Sequence, residues 1–220
     1  MKKLAIFDLD GTLLNTIADL AASTNYALKH YNYPTHDEEA YKFFVGNGIN
    51  KLFERALPET ERTQDNIMKI RSVFVPYYDK HNADLSKPYD GINDLLKTLT
   101  ENNIGIAVAS NKYHSATKKL INQFFGDFKF ISVLGQRDGI PAKPDPTIIH
   151  DIEKETGVSK EHIIYIGDSC VDMETGKNAG VITVGVSWGF RPRTELEKYN
   201  PDFIADNCSE LKQFILNIKI

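Results

Sequence analysis

Short apolar runs alternate with amphipathic stretches over much of the chain. The first run, residues 4–7, stops at Asp8, which is the pattern of a buried strand followed by a loop. Four later runs predict further strands, at residues 104–109, 130–134, 163–166 and 181–186. Around them apolar residues recur at helical spacing, as in the stripe formed by Ile92, Leu95, Leu96 and Leu99. The pattern predicts strands that alternate with helices.

Such alternation indicates crossover connections, which make neighbouring strands parallel. A parallel sheet needs helices on both faces, because both of its faces are apolar. The predicted fold class is therefore α/β, with a doubly wound, Rossmann-like parallel-sheet core.

A block without a convincing strand interrupts this pattern between about residues 15 and 85. Helical spacing predicts a helix that ends before Pro34, two short helices at residues 38–44 and 49–57, and a fourth that Pro76 must kink or shorten. The sequence thus predicts an inserted α-helical cap domain at residues 15–85. The core would comprise residues 1–14 and 86–220.

Composition narrows the class of protein. The 220 residues are enough for a core domain and a small second lobe, and 41% of them are hydrophobic, as in ordinary globular proteins. The formal net charge of −4, without a basic tail, gives no reason to expect nucleic acid as a partner. The two cysteines, Cys170 and Cys208, are too few for a disulfide scaffold and favour a reducing compartment.

The apolar run behind the N-terminal lysines is too short for the core of an export signal. No stretch of the sequence approaches the roughly 18 to 20 apolar residues that a membrane helix needs. We therefore expect a cytoplasmic protein with no membrane partner.

Polar residues follow the predicted strands at the points where ligands bind in open parallel sheets. Asp8 and Asp10 follow the first strand, and side chains two residues apart in an extended segment share one side. One carboxylate can attack phosphorus while the other protonates the leaving oxygen and later activates water. Alternatively, the segment Asp-Leu-Asp-Gly is a polar turn.

Three later segments offer phosphate or metal ligands. Ser110 and Asn111 could bind phosphate oxygens, or cap a helix. Lys143, between Ala142 and Pro144, suits a developing phosphoryl charge, although most lysines are solvated surface residues. Asp168 and Asp172 could join Asp8 in a metal site, or serve as helix-capping and first-turn charges. The candidate ligands are oxygens, so the expected metal is magnesium.

These segments, in this order, resemble the four motifs of the haloacid dehalogenase superfamily of phosphohydrolases. The motifs are Asp8-Leu9-Asp10-Gly11-Thr12, Ser110-Asn111, Lys143, and Gly167-Asp168-Ser169 with Asp172. The resemblance implies that Asp8 is the nucleophile and Asp10 the acid and base. It implies further that Asp8, the Asp10 backbone carbonyl and Asp168 hold Mg²⁺. Ser110, Asn111 and Lys143 would bind the phosphoryl group, and Asp172 would support the metal shell.

The resemblance also narrows the reaction and the substrate. Dehalogenating members lack an acidic residue at the position of Asp10, so Asp10 argues for phosphoryl transfer. Gly46, Asn47 and Gly48 resemble the cap loop of phosphoglycolate phosphatases, although Asn47 could simply cap a helix after a turn. The expected partner is a small phosphorylated metabolite, and the chain would be a monomer or a homodimer.

Other functions remain open at this point. A phosphoglucomutase-like isomerase, or a nucleotidase or pyrophosphatase of the same family, would use the same motifs. A non-enzymatic phospho-receiver also uses an aspartyl-phosphate, a hydroxyl and a lysine on a parallel sheet. Receivers lack an inserted helical cap and place the acceptor on an interior strand, which argues against that alternative.

Overall fold

A computed structural model describes residues 3–220; Met1 and Lys2, part of the predicted core segment 1–14, lie outside the described residues. The strands are β1 (Leu4–Phe7), β2 (Leu14–Asn15), β3 (Lys87–Pro88), β4 (Gly105–Tyr113), β5 (Ser132–Gln136), β6 (Ile163–Gly167), β7 (Ile182–Val186) and β8 (Phe203–Ala205). The helices are α1 (Ile17–His30), α2 (Glu38–Phe44), α3 (Ile49–Ala56), α4 (Gln64–His81), α5 (Ile92–Glu101), α6 (His114–Phe125), α7 (Thr147–Thr156), α8 (Cys170–Ala179), α9 (Arg193–Glu197) and α10 (Cys208–Asn217). Short 3₁₀ turns occupy Glu59–Glu61 and Lys160–His162.

Six parallel strands form one sheet in the order β5-β4-β1-β6-β7-β8. Although first in the chain, β1 lies inside the sheet, where Phe7 is opposite Val108 of β4 and Ile166 of β6. The expectation that the position of the acceptor strand argues against a phospho-receiver was therefore wrong, and the inserted helices are what argue against it. The chain order reverses direction at β1, and such a reversal opens a crevice beyond the carboxyl ends of the strands. The predicted α/β fold class is confirmed, and Asp8 follows the strand beside that crevice.

Alternate residues of the strands pack against helices on opposite faces of the sheet. One face of β1 presents Ala5 and Phe7 to a cluster that includes residues of α5, α6 and α10. The other face presents Leu4 and Ile6 to a cluster that includes residues of α7 and α8. Because both faces are covered, the strands are apolar along their whole length, which is why the sequence pattern identified them.

The helices α1–α4 lie between β2 and β3 in the chain and pack around their own hydrophobic cluster. Tyr41, Phe53, Phe74 and Tyr78 are fully buried there. The two-residue strands β2 and β3 pair antiparallel, with Leu14 opposite Pro88. These two strands were not predicted, because two residues are too few to show a period. The predicted domain boundaries at residues 14 and 86 stay a prediction.

Pro76 lies inside α4. This helix has 18 residues and continues past Pro76 to His81. Pro76 was expected to kink or shorten this helix; it does not shorten it, and a kink at Pro76 stays a prediction. Proline removes one backbone donor, but four buried side chains of α4, including Phe74 and Tyr78, hold the helix against the rest of the cluster. Within residues 3–220, no helix, α4 included, is both long and apolar enough to cross a membrane.

Other differences from the predicted elements lie at edges. The strand expected at residues 104–109 extends to Tyr113, and the strand expected at residues 130–134 occupies Ser132–Gln136. The edge strand β8 and the five-residue helix α9 were not predicted. Each is too short for its periodicity to stand out from the surrounding sequence.

Asp19 joins α1 to the segment that leads into β3. Its buried carboxylate accepts hydrogen bonds from the backbone N–H groups of Leu85 and Ser86, at 3.0 and 2.8 Å, and from the Ser86 hydroxyl at 2.6 Å. Hydrogen bonds to a buried charge are stronger than those between neutral groups. Asp19 therefore fixes where the chain leaves and re-enters the sheet-bearing part.

We expect Asp19→Ala to lower the free energy of unfolding by about 2–3 kcal/mol, because it leaves a buried hydroxyl and backbone N–H group without an acceptor. Urea denaturation measures this loss. Asp94→Ala, in the exposed first turn of α5, is the matched control and should change stability by less than about 0.5 kcal/mol. Equal effects of the two substitutions would contradict the assigned role of Asp19.

Candidate active site

The carboxyl ends of three neighbouring strands bring the predicted site residues together. Asp8 follows β1 and Asp168 follows β6, while Ser110 lies near the end of β4. Asp8, Asp10, Ser110 and Asn111 line one cavity of about 40 Å³, whose opposite wall comes from α1, α3 and the loop after α2. Residues from distant parts of the sequence thus share one small space.

Lys143 is buried beside Asp8, with Nζ 3.0 Å from Asp8 Oδ1 and 2.7 Å from Asp172 Oδ1. The Lys143 N–H groups donate to Asp172, to the Tyr165 hydroxyl at 2.8 Å and to the Ala109 carbonyl at 3.1 Å. An ammonium has three N–H groups, so the close contact with Asp8 is an ion pair without an aligned hydrogen bond. Among the described residues, Asp8 Oδ1 accordingly has no hydrogen-bond partner.

Burial dominates the electrostatics of Asp8. Desolvation raises the pKa of Asp8 to about 7; Lys143 opposes this shift, whereas Asp172 and Asp10 add to it. Burial and the charges of Asp172 and Asp8 likewise hold the pKa of Asp168 well above its ordinary value. A neighbouring positive charge would favour the ionised form of both carboxyls.

Asp172 differs because its oxygens are fully engaged. Burial alone would raise the pKa of Asp172, but the charge of Lys143 and hydrogen bonds from Lys143, Ser169 and Tyr165 hold it below its ordinary value. Ser169 donates to Asp172 Oδ2 through its backbone N–H and, at 2.6 Å, its hydroxyl, which forms the capping box of α8. Asp172 is therefore an ionised carboxylate that orients Lys143.

The donor set fits a divalent cation. Asp8, Asp168 and Asp172 each offer a carboxylate oxygen within 4.8 Å of the others, and all three side chains are buried. Oxygen-only ligands suit magnesium, and a divalent charge would neutralise carboxyls whose ionisation burial opposes. Since Asp172 is already engaged with Lys143, the residues that would hold Mg²⁺ directly are Asp8 and Asp168.

Two glycines make room for the Asp168 carboxylate. A Cβ atom added to Gly11, which has φ +90°, would lie 2.3 Å from Asp168 Oδ2, and one added to Gly189 would lie 2.2 Å from Asp168 Cβ. The Asp168 Oδ2 atom also accepts a 2.7 Å hydrogen bond from the Phe190 backbone N–H. Gly11 of the first motif is thus required for two reasons: its φ is positive, and the Asp168 carboxylate lies too close for a side chain.

Asp10 points away from this cluster. Both of its carboxylate oxygens lie 3.0 Å from Lys112 Nζ, and Oδ1 also accepts a 2.7 Å hydrogen bond from the Thr16 hydroxyl. Any contribution of Asp10 to a metal would therefore come from its backbone carbonyl, as the family resemblance implies. Lys112 and Thr16 were not among the predicted site residues, since a lysine after Ser-Asn has no distinguishing local pattern.

The predicted phosphate-binding residues of β4 have different surroundings. The Ser110 hydroxyl accepts a 3.2 Å hydrogen bond from the Lys112 backbone N–H and faces the cavity. The Asn111 side chain is engaged by protein: it donates to the carbonyls of Gly46 and Lys143 at 3.0 and 3.1 Å and accepts from the Lys143 backbone N–H at 2.8 Å. Asn111 could offer a phosphate its backbone N–H, but not its side chain.

The loop after α2 contributes its glycines to the cavity. Gly46 and Gly48 line it, whereas the Asn47 side chain accepts a 2.8 Å hydrogen bond from Arg55 and does not. Of the predicted substrate loop, the cavity therefore contacts the two glycines. A glycine lining brings the backbone itself within reach of a ligand.

The segment after β7 connects the sheet to the helices α1–α4, and sequence reasoning left its function open. Trp188 donates from Nε1 to the Thr12 carbonyl at 3.1 Å, and the Phe190 side chain packs within the cluster of α1–α4. Arg191 donates to the backbone carbonyls of Lys42 and Val45 around the end of α2. The same segment thus contacts the Asp168 carboxylate and the helices above it.

Comparison with known proteins agrees with this geometry. The sequence profile of the haloacid dehalogenase-like hydrolases matches residues 5–186. Similar curated proteins include the phosphoglycolate phosphatases of Vibrio parahaemolyticus, 32% identical over 97% of this chain and 96% of that protein, and of Haemophilus influenzae, 30% identical over 95% and 96%.

Solved structures agree as well. The crystal structure of a predicted phosphoglycolate phosphatase from Haemophilus somnus has a TM-score of 0.89 at 29% identity, and covers 96% of this chain and 97% of its own. A crystal structure from Lactobacillus delbrueckii has a TM-score of 0.91 at 32% identity, and covers 99% of both chains.

The profile covers all four motifs, and the relatives are similar over nearly their whole length. The resemblance drawn from the motifs is confirmed, and so is the prediction that the chain is an enzyme of the phosphatase group. The chain belongs to the haloacid dehalogenase-like hydrolase family.

Proposed function

We propose that this enzyme is a magnesium-dependent phosphatase that hydrolyses a small phosphate monoester through an aspartyl-phosphate at Asp8. The observation that carries the proposal is the Asp8 Oδ1 atom. It is a buried carboxylate oxygen without an aligned hydrogen bond, 3.0 Å from Lys143 Nζ, on a residue that lines the cavity. A carboxylate that lines the cavity beside a buried ammonium can attack phosphorus.

In the first step an Asp8 oxygen forms a bond to phosphorus, and the bond from phosphorus to the ester oxygen breaks. The electron pair stays on the ester oxygen, which takes a proton from the Asp10 carboxyl. Lys143 and the Ser110 hydroxyl would face the transferring phosphoryl oxygens. When bound, Mg²⁺ supplies positive charge to the same oxygens and orients them.

In the second step the Asp10 carboxylate takes a proton from water. The water oxygen bonds to phosphorus, the bond from phosphorus to Asp8 breaks, and phosphate leaves. Asp10 ends protonated and Asp8 ionised, which restores the starting state. Lys112 and Thr16 hold the Asp10 carboxylate at 3.0 and 2.7 Å, so its position is defined before either transfer.

The helices α1–α4 would serve as the cap that excludes bulk water. Asn111 and Arg191, both from the sheet-bearing part, donate to the carbonyls of Gly46 and Val45 in the loop after α2. Such closure would prevent bulk water from attacking the phosphoryl group before the leaving group departs. The cavity lies between Asp8 and the helices α1 and α3, so a phosphate ester bound there would lie beneath the helices.

The proposed substrate is phosphoglycolate or a similarly short phosphate ester. The relatives from Vibrio parahaemolyticus and Haemophilus influenzae are named for that substrate. A phosphoglucomutase-like reaction or a nucleotide substrate would place a polar sugar ring or a base against the helical wall. The helical wall of the cavity, formed by Leu20, Val45, Ile49 and Leu52, offers such groups no side-chain hydrogen bonds.

We expect the enzyme with Mg²⁺ to release phosphate from 2-phosphoglycolate in a panel that also contains sugar phosphates, nucleotides and pyrophosphate. Asp8→Asn should lower kcat by about 10³-fold or more, because it removes the nucleophile. A phosphate-release assay measures both, with Asp94→Asn as the exposed control. Full activity of Asp8→Asn, or isomerised sugar without free phosphate, would contradict the proposal.

The raised pKa of Asp8 predicts how stability depends on pH in metal-free protein. Between the ordinary value of 3.8 and about 7, the folded state holds a proton that the unfolded chain releases, so stability falls as pH rises through this window. Asp8→Asn removes this dependence. In EDTA the variant should therefore be more stable than wild type at pH 8, and the difference should shrink as the pH falls below about 7.

Urea denaturation from pH 5 to pH 8 gives this difference directly, and Asp94→Asn again serves as the control. A difference between wild type and Asp8→Asn that stays constant with pH would mean that Asp8 is not protonated in the folded apoprotein.

Magnesium should raise the Tm of the wild-type enzyme, because a ligand that binds only the folded state stabilises it. Asp168→Asn should abolish or strongly reduce this shift, since it removes a carboxylate within 4.8 Å of Asp8. Asp138→Asn, an exposed acidic residue, should keep the full shift. Thermal denaturation with and without MgCl₂ provides the readout, and an undiminished shift in Asp168→Asn would rule out the proposed metal ligand.

A further inference from the structure

Lys112 is a buried cation that lines the cavity beside Asp10. Its side chain is 2% exposed, and Nζ donates to both oxygens of Asp10 at 3.0 Å. Its ammonium also lies 4.9 Å from the centroid of the Tyr78 ring. The hydrolysis described above needs Asp10 to be held in place, but Thr16 also does this, so a buried lysine calls for a further explanation.

Within residues 3–220, Lys112 is the one basic side chain that lines this cavity. The remaining lining residues are Asp8, Asp10, Leu20, Val45, Gly46, Gly48, Ile49, Leu52, Ser110 and Asn111. The wall formed by the sheet carries two acidic side chains, Asp8 and Asp10, and neither can attract a second negative charge on a substrate. A substrate with an anionic leaving group therefore depends on Lys112 for a favourable contact.

We propose that Lys112 binds a carboxylate on the leaving group and thereby makes the enzyme selective for phosphate esters of short hydroxy acids. This inference rests on the proposed phosphatase reaction and assigns a specificity-determining residue to it. Asp10 must reach the ester oxygen to protonate it. In a phosphorylated 2-hydroxy acid a single carbon separates that oxygen from the carboxylate, so Lys112, which contacts Asp10, lies beside the carboxylate as well.

The hydrogen-bonding capacity of Lys112 allows this contact. An ammonium has three N–H groups, and the described residues accept two of them, both at Asp10. The remaining N–H can donate to the substrate while the contact with Asp10 persists. One ammonium would then hold the substrate carboxylate beside the Asp10 carboxyl that protonates the ester oxygen.

A comparison of charged and neutral leaving groups separates this role from an effect on Asp10. We expect Lys112→Gln to lower kcat/KM for 2-phosphoglycolate about 10- to 100-fold more than for its neutral amide or for ethyl phosphate, because a buried charge-assisted hydrogen bond is lost only with the acid. Damage to Asp10 as the proton donor would lower all three values, including that of ethyl phosphate, whose basic leaving group depends on the proton at least as much as the acid does. Lys177→Gln, an exposed lysine of α8, is the matched control and should leave all three values unchanged.

The outcomes are distinct. An equal loss of kcat/KM on all three esters would show that Lys112 acts through Asp10 alone. If Lys112→Gln changed neither kcat/KM nor its ratio between the acid and the neutral esters, Lys112 would not contact the leaving group. Either result overturns the inference while leaving the phosphatase proposal intact. Wild-type enzyme that hydrolyses none of the panel with Mg²⁺ would overturn the proposed function itself, and the inference with it.

Two further measurements do not depend on the glutamine variant folding. Lys112→Arg keeps the positive charge and should retain most of the preference for the acid. In the wild-type enzyme, the acid and its amide have nearly the same shape, so a kcat/KM ratio near one between them would also overturn the inference.

Discussion

The arrangement of this site depends on how buried negative charge is compensated. Three buried carboxylates, Asp8, Asp168 and Asp172, offer oxygens within 4.8 Å of one another at the end of β1 and β6. Burying a charge without a partner is costly, so each carboxylate must be paired, protonated or bound to a cation. Asp172 is satisfied by Lys143, Ser169 and Tyr165, whereas burial raises the pKa of Asp8 and Asp168. Asp8, which is proposed to attack phosphorus, and its neighbour Asp168 are therefore the carboxylates that still need a compensating positive charge.

Residues that surround the charged cluster also contact the helices α1–α4. Phe190 donates its backbone N–H to Asp168, while its side chain packs among those helices. Asn111 joins the Lys143 backbone to the Gly46 carbonyl in the loop after α2. Residues that position the charged groups are thus in direct contact with the helices and the loop that form the opposite wall of the cavity.

The sequence predicted the parts of this molecule whose signals are local. Strand β1 was visible as an apolar run ending at Asp8, and the helical segment was visible because no strand interrupts it. The two-residue strands β2 and β3 and the short elements α9 and β8 were missed, since so few residues show no period. Pro76 does not shorten α4, because the packing of its buried side chains outweighs one lost backbone hydrogen bond.

The residues of the candidate site likewise divide into those with a local sequence signal and those without one. Asp8, Ser110, Lys143 and Asp168 stand at strand ends or in a motif, which made them predictable. Lys112 was missed because its partner, Asp10, is 102 residues away in the chain. Likewise, Tyr165 lies within an apolar strand, and nothing local indicates that its hydroxyl joins Lys143 to Asp172. Pairings between distant segments depend on the three-dimensional fold, and a single sequence carries no record of them.

The central claim, that Asp8 carries the phosphoryl group, can be tested by chemical trapping. Enzyme quenched with acid during turnover of 2-phosphoglycolate would be reduced with borohydride, which converts an acyl phosphate to an alcohol, and then digested and analysed by mass spectrometry. The account predicts homoserine at position 8 and unmodified aspartate at positions 10, 168 and 172. Conversion at another carboxylate, or none at position 8 while phosphate is being released, would contradict it.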